Sequence, residues 1–219
     1  MLGYVVSLYN YLVGRKNNHN VFVFDLDNTI TIEHTGGVYD SEDNNYETYI
    51  NKNMISNVTN LFACIKKNGD KIYINSRGLL VSVYDICCDI GIDTYIDGYY
   101  CAHDYRSFKH IRKFTHSKYS MHCEWGKVNT IYLNMIRDSE NVDKRNIYFF
   151  DDTSQNVNAA RNDGFINSFL VNSNGYPDTM GEYNLITILK RCMSNIYDYS
   201  ENVDDGKTSL NDTLYIQYP

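Results

Sequence analysis

Residues 21–29 read Val21-Phe22-Val23-Phe24-Asp25-Leu26-Asp27-Asn28-Thr29, four apolar residues running straight into two carboxylates two positions apart. A short apolar run bounded by polar residues is the pattern of a strand buried on both faces. In an extended chain, residues two apart project to the same side, so Asp25 and Asp27 face one site with Asp27 farther along. An acidic strand end is equally the pattern of a solvated turn, and the stretch alone does not separate the two readings.

Working outward, Lys71 to Asn75, Asn146 to Asp151 and Ser168 to Val171 are further short apolar or alternating runs and read as strands. Between them lie helical patterns. Ile55 to Lys67 puts Val58, Leu61, Phe62 and Ile65 on one face, and Val128 to Arg137 does so with Ile131, Leu133, Met135 and Ile136. Glu182 to Tyr199 repeats the pattern with Leu185, Ile188, Leu189, Cys192 and Ile196. Alternation of strand and helix implies an α/β fold, a doubly wound, mostly parallel, Rossmann-like sheet covered on both faces. Its ligand is expected beyond the carboxyl ends of the strands. Thr29 to Tyr39, with a Gly36-Gly37 turn, reads as a small hairpin flap over that site, followed by an acidic loop from Asp40 to Tyr49.

Three more segments place polar groups where such a sheet would present them. Ile72-Tyr73-Ile74-Asn75-Ser76-Arg77-Gly78 is a strand ending in a hydroxyl, read as leading into a helix whose first N–H groups are free. A Ser there is commonly an N-cap, and the same geometry binds phosphate oxygens. Lys127 follows Trp125-Gly126 at the start of an amphipathic pattern, where a lone Lys is commonly a solvated charge. Ile147-Tyr148-Phe149-Phe150-Asp151-Asp152 is a second buried strand ending in paired carboxylates, followed by Asn156-Val157 and Gly164.

Together these four pieces resemble the motifs of the haloacid dehalogenase superfamily of phosphohydrolases, across roughly Val21 to Val171. The Phe149-Phe150-Asp151-Asp152 strand end, the Asn after it and the Gly about a dozen residues on are most similar to the magnesium-dependent phosphatase group. The resemblance implies a phosphomonoester hydrolase working through an aspartyl-phosphate. Asp25 would be the nucleophile and Asp27 the general acid and base. Asp25, Asp151 and the main-chain carbonyl of Asp27 would hold Mg²⁺, with Asp152 acting directly or through water. Ser76, Arg77, nearby N–H groups and Lys127 would bind the remaining phosphate oxygens. Gly78 stands where many members carry a polar residue close to the Ser, which leaves that motif slightly atypical.

The physical logic is the same. Phosphoryl transfer needs an in-line nucleophile, neutralised oxygens and a proton for the leaving group. A hard cation suits a carboxylate cluster.

The segments between motifs leave no room for a large cap domain. An open site follows, and open sites in this superfamily tend to act on exposed phosphates of macromolecules. The substrate expected is a phosphorylated protein or another exposed phosphate. A nucleic-acid end and a catalytically silent binding or structural relative are the alternatives. From residue 101 to 124, His103, His110, His116 and His122 lie with Cys101 and Cys123 among Arg106, Lys109, Arg112, Lys113 and Lys118. A zinc site is one reading, although the spacing matches no standard zinc pattern; a polar loop and a basic wall facing the substrate are the other two.

The chain of 219 residues, 43% hydrophobic and 21% charged, suits one soluble catalytic domain. The division expected is a docked N-terminal helix over 1–20, the phosphatase domain over 21–199 and a polar tail over 200–219. The apolar stretch Leu2 to Val13 is too short to span a bilayer and lacks a basic leader, so no membrane association is expected. A net charge of -7 argues against a surface that binds nucleic acid by charge alone, so any basic contact is local. Six cysteines without a C-x-x-C pair fit a reducing cytoplasm. With 21 Tyr and 2 Pro, the residue usage suits an AT-rich genome such as that of a large DNA virus or a parasite. Oligomeric state is not legible.

Overall fold

The computed structural model describes residues 17–35, 39, 52–102, 130–171 and 185–197, with backbone alone at 52–56 and 102. The four apolar residues of the opening stretch form β1 (Val21–Phe24), and every one of them is fully buried. Their side chains divide by the strand period of two. Phe22 and Phe24 enter one core cluster, Val21 and Val23 the other. A strand so buried can only be central, and β1 lies between β2 (Lys71–Leu79) and β4 (Ile147–Asp151). With β3 (Gly98–Ala102) and β5 (Ser168–Leu170) the sheet order is β3-β2-β1-β4-β5, parallel throughout. This is the Rossmann-like architecture expected from the alternation.

Three helices cover one face: α1 (Lys52–Lys67), α2 (Leu80–Asp89) and α5 (Leu185–Tyr197). The other face carries α3 (Ile131–Glu140) and α4 (Ser154–Asn162). Aromatic rings knit the first core, since Phe24 stacks on Phe150 at 4.8 Å and Phe150 on Phe169 at 5.3 Å. Full burial of a side chain of this kind stabilises the fold by about 1.5–3 kcal/mol. That rigid centre is what holds the carboxyl ends of β1 and β4 side by side.

Several expectations are corrected. β3 has no apolar alternation to announce it, because its Tyr99 and Tyr100 are buried as aromatic rings. β2 runs through Ser76 to Leu79, so α2 begins at Leu80 and not at Ser76. In α3 the buried face is Tyr132, Leu133 and Ile136, whereas Ile131 and Met135 are 38% and 36% exposed. The helix starts three residues later than its periodicity suggested, after Thr130, whose φ of 55° breaks the helical path. Thr130 is held there by donating from Oγ1 to Asp163 at 2.7 Å, a carboxylate that also accepts from Asn134 and pairs with Lys144. The Thr130 bond first, then those of Asn134 and Lys144, holds the Asp163 carboxyl below the usual carboxylate range.

Residues 29–35 do not form the arm of a hairpin. The N–H groups of Thr29, Ile30 and Thr31 all donate to the Leu26 carbonyl, which coils the chain into a tight turn. Thr31 adds its hydroxyl, donating to Leu26 and Glu33 carbonyls, a local competition that β-propensity does not register. The Gly36-Gly37 turn, residues 1–16, Lys127, positions 103–124 of the histidine-rich segment and the tail over 200–219 lie outside the described residues. Among the described residues no helix is long and apolar enough to cross a membrane. Cys64, Cys87, Cys88, Cys101 and Cys192 are free thiols.

Candidate active site

Parallel strands in register end at one level, and that level is where the carboxylates gather. Phe24 pairs with Ile74 on one side and Phe150 on the other, so the next residues, Asn75, Asp25 and Asp151, form one rung at the carboxyl edge. The Asp25 N–H donates to the Phe150 carbonyl at 2.9 Å and continues the ladder. Asp25 and Asp151 are 2% and 0% exposed. With Asp152 they bring ligand atoms within 4.8 Å of one another.

Carboxylates this close and this buried repel unless a cation lies among them. An all-oxygen donor set of this kind fits Mg²⁺. The surrounding polar groups fit as well. Asp151 Oδ1 accepts from the Thr153 N–H at 2.9 Å and from Asn156 Nδ2 at 3.0 Å, which fixes the carboxylate plane as an outer-shell partner does for a metal ligand. Thr153 also donates from Oγ1 to Asp152 at 3.2 Å. Asn156 belonged to the motif resemblance without a role, and in the structure it is a hydrogen-bond donor to Asp151. The signal was its place three residues past Thr153, on the first turn of α4 facing the strand end.

Asp27 stands apart from this cluster. Its Oδ1 accepts from both the N–H and the hydroxyl of Thr35, at 3.0 and 2.7 Å, and its Oδ2 meets His34 Nδ1 at 3.1 Å. Neither Thr35 nor His34 is distinguishable in sequence, because the turn that returns them to Asp27 is not a regular element. Asn28 makes that turn possible with a φ of 56°, a left-handed conformation open to Asn and Gly and costly for β-branched residues. Asn28→Gly is therefore expected to keep the turn and the Thr35 bonds to Asp27. Asn28→Val should lose stability by about 1–2 kcal/mol and displace Asp27, read as a lower melting temperature.

The remaining residues divide. Thr29, buried at 1% exposure, places Oγ1 at 3.4 Å from Asp25 Oδ2. Ser76 is buried at the irregular end of β2, where regular pairing with β3 breaks after Asn75, and its Oγ accepts from the Gly78 N–H at 3.1 Å. It lies four residues ahead of α2 and so is no N-cap. Arg77 is exposed. Lys127 falls outside the described residues, three positions before Thr130.

No family model matches the sequence, and the search among curated proteins finds no match. Solved structures do match. The five-stranded parallel α/β architecture is shared with solved proteins. A protein from Thermotoga maritima assigned as a beta-phosphoglucomutase shares it with a TM-score of 0.52 at 12% identity, over 80% of this chain and 99% of that one. Also similar are the core domain of a protein from Streptococcus pneumoniae assigned as a phosphoglycolate phosphatase, and a haloacid dehalogenase-like hydrolase from the same organism. The first has a TM-score of 0.40 at 16% identity over 77% of this chain and 88% of its own, the second 0.45 at 12% over 79% and 90%.

Proposed function

We propose that this chain is a Mg²⁺-dependent phosphomonoester hydrolase that acts through an aspartyl-phosphate on Asp25, with an exposed phosphate such as that of a phosphorylated protein as substrate. The observation that carries the reading is the separation of carboxylates into two sets. Asp25, Asp151 and Asp152 converge within 4.8 Å, while Asp27 is held away from them by Thr35 and His34. One set suits a cation and a nucleophile, the other an acid and base.

Mg²⁺, held by Asp25, Asp151, the Asp27 carbonyl and Asp152, would neutralise phosphate oxygens that the carboxylates otherwise repel. Asp25 attacks phosphorus in line and expels the alkoxide or phenolate, which takes the Asp27 proton. Asp27, now a carboxylate, takes a proton from the water that attacks the phosphoaspartate and releases orthophosphate. Ser76 and Lys127 are assigned to the remaining phosphate oxygens. The short segments between motifs support an open site, and with it a phosphate carried on a large partner.

The test is hydrolysis of p-nitrophenyl phosphate by the full chain, with and without chelator, followed by phosphopeptides, sugar phosphates and 3′- or 5′-phosphorylated oligonucleotides. Activity that vanishes with chelator and returns with Mg²⁺ is expected, with phosphopeptides preferred. Activity indifferent to chelator would remove the metal from the scheme. The orienting role of Asn156 gives a finer check. Asn156→Ala should weaken Mg²⁺ about 10- to 100-fold, read as a shift in the Mg²⁺ concentration that half-restores activity, with kcat at saturating Mg²⁺ much less affected.

A further inference from the structure

The rung that carries Asp25 and Asp151 holds a third polar side chain with no task in the scheme above. Asn75 pairs in register with Tyr100 of β3 and comes one residue after Ile74, the partner of Phe24, so it lies beside Asp25. Strand alternation puts it on the face of Tyr73, the face that also holds Val23 and Phe149 and therefore Asp25 and Asp151. It is 1% exposed, and among the described residues neither its Nδ2 nor its Oδ1 has a hydrogen-bond partner.

A buried carboxamide left without partners destabilises a fold, and an apolar residue of the same size would suit this strand end better if packing were all that mattered. Such exceptions concentrate where a ligand completes the bonding. The ligand's chemistry follows from the neighbours. Adjacent strands lie about 4.8 Å apart, so the Asn75 amide reaches the volume directly beyond the Asp25 carboxylate. A phosphoryl group there presents only acceptors, and Nδ2 brings two donors. Being neutral, it adds a donor without competing with the cation for the carboxylates.

Resting on the phosphohydrolase reading, we propose that Asn75 is a catalytic residue whose Nδ2 donates to a non-bridging oxygen of the phosphoryl group during transfer to and from Asp25. This assigns phosphate recognition on the β2 side to Asn75 as well as Ser76. The two lie on consecutive positions, one on the rung of Asp25 and one just past the break in β2.

The experiment compares the wild-type chain with Asn75→Leu, alike in branched shape but larger and apolar, and with Asn75→Ala in case the larger residue does not fold. Two readouts are taken, kcat/KM on p-nitrophenyl phosphate and the rise in melting temperature on adding inorganic phosphate with Mg²⁺. Loss of one donor to a developing charge predicts a fall of about 10²–10³-fold in rate. The phosphate-induced rise in melting temperature should disappear, while the ligand-free melting temperature of Asn75→Leu stays level or increases. A purely structural Asn75 would show the reverse, a lower melting temperature with phosphate binding and rate retained per folded molecule, and that result overturns the proposal. A wild-type chain that neither hydrolyses phosphate esters nor gains stability from phosphate overturns the phosphohydrolase reading and this one with it. An active wild type whose Asn75 variants keep its rate and its response to phosphate overturns this one alone.

Discussion

Asp25→Asn is expected to reduce hydrolysis of any phosphate ester by about 10⁴-fold or more, the scale on which loss of a covalent nucleophile is felt. The substitution is nearly isosteric, and the main-chain bond from residue 25 to the Phe150 carbonyl does not depend on the side chain. A carboxamide cannot attack phosphorus, and it also weakens the cation site, so both the nucleophile and its electrostatic partner are lost together. Stability should move the other way. Asp25, Asp151 and Asp152 crowd their oxygens within 4.8 Å, and removing one negative charge relieves repulsion whenever Mg²⁺ is absent. The metal-free variant should melt at or above the wild-type temperature while its response to added Mg²⁺ shrinks. Intact mass after rapid quenching should show a phosphorylated wild-type chain and no phosphorylated variant. Undiminished turnover by Asp25→Asn would sink the covalent route outright.

How much of this could be read from the sequence depends on where regular structure ends. β1 and β4 were legible because central burial leaves nearly continuous apolar runs, and β5 from its short apolar run although Phe169 and Leu170 are only partly buried at the sheet edge; the residues after the β1 and β4 runs were then placed by the rule for parallel sheets. Asp25 and Asp151 come from that logic directly, and their convergence follows from the shared register of Phe24 and Phe150. β3 was not legible, since Gly98-Tyr99-Tyr100 carries its burial in aromatic rings with polar hydroxyls. The apolar face of α3 was misread because a Tyr, Tyr132, takes a core position while Ile131 and Met135 face outward. The expected hairpin failed for a different reason. Thr29-Ile30-Thr31-Ile32 has the alternation of a strand, but hydroxyl and N–H bonds to the Leu26 carbonyl are local and win over pairing with a distant arm. Thr35 and His34 reach Asp27 through that turn, and no periodicity announces a turn of this kind. Asn75 was quoted as part of a strand; only its burial without a partner marks it as more.

Asp27→Asn should produce a loss that depends on the leaving group, which separates a proton-transfer role from a structural one. A carboxamide at this position retains an acceptor for the two Thr35 donors now on Asp27 Oδ1, and its amide can donate to a neutral His34 Nδ1 where Oδ2 now lies. The turn is therefore preserved, and the melting temperature should stay close to that of the wild type. What is lost is the proton. For a seryl or other alkyl phosphate, whose leaving oxygen must be protonated, the rate should fall by about 10²–10⁴-fold. For p-nitrophenyl phosphate the phenolate leaves without help, so formation of the aspartyl-phosphate should be only slightly slowed. Its hydrolysis still requires a base to activate water, and the carboxamide of the variant supplies none. The variant should consequently release one equivalent of nitrophenol per chain in a burst and then stall, with the phosphorylated chain accumulating. A uniform loss across both substrates without a burst would assign Asp27 to holding the turn and leave the acid and base to another group.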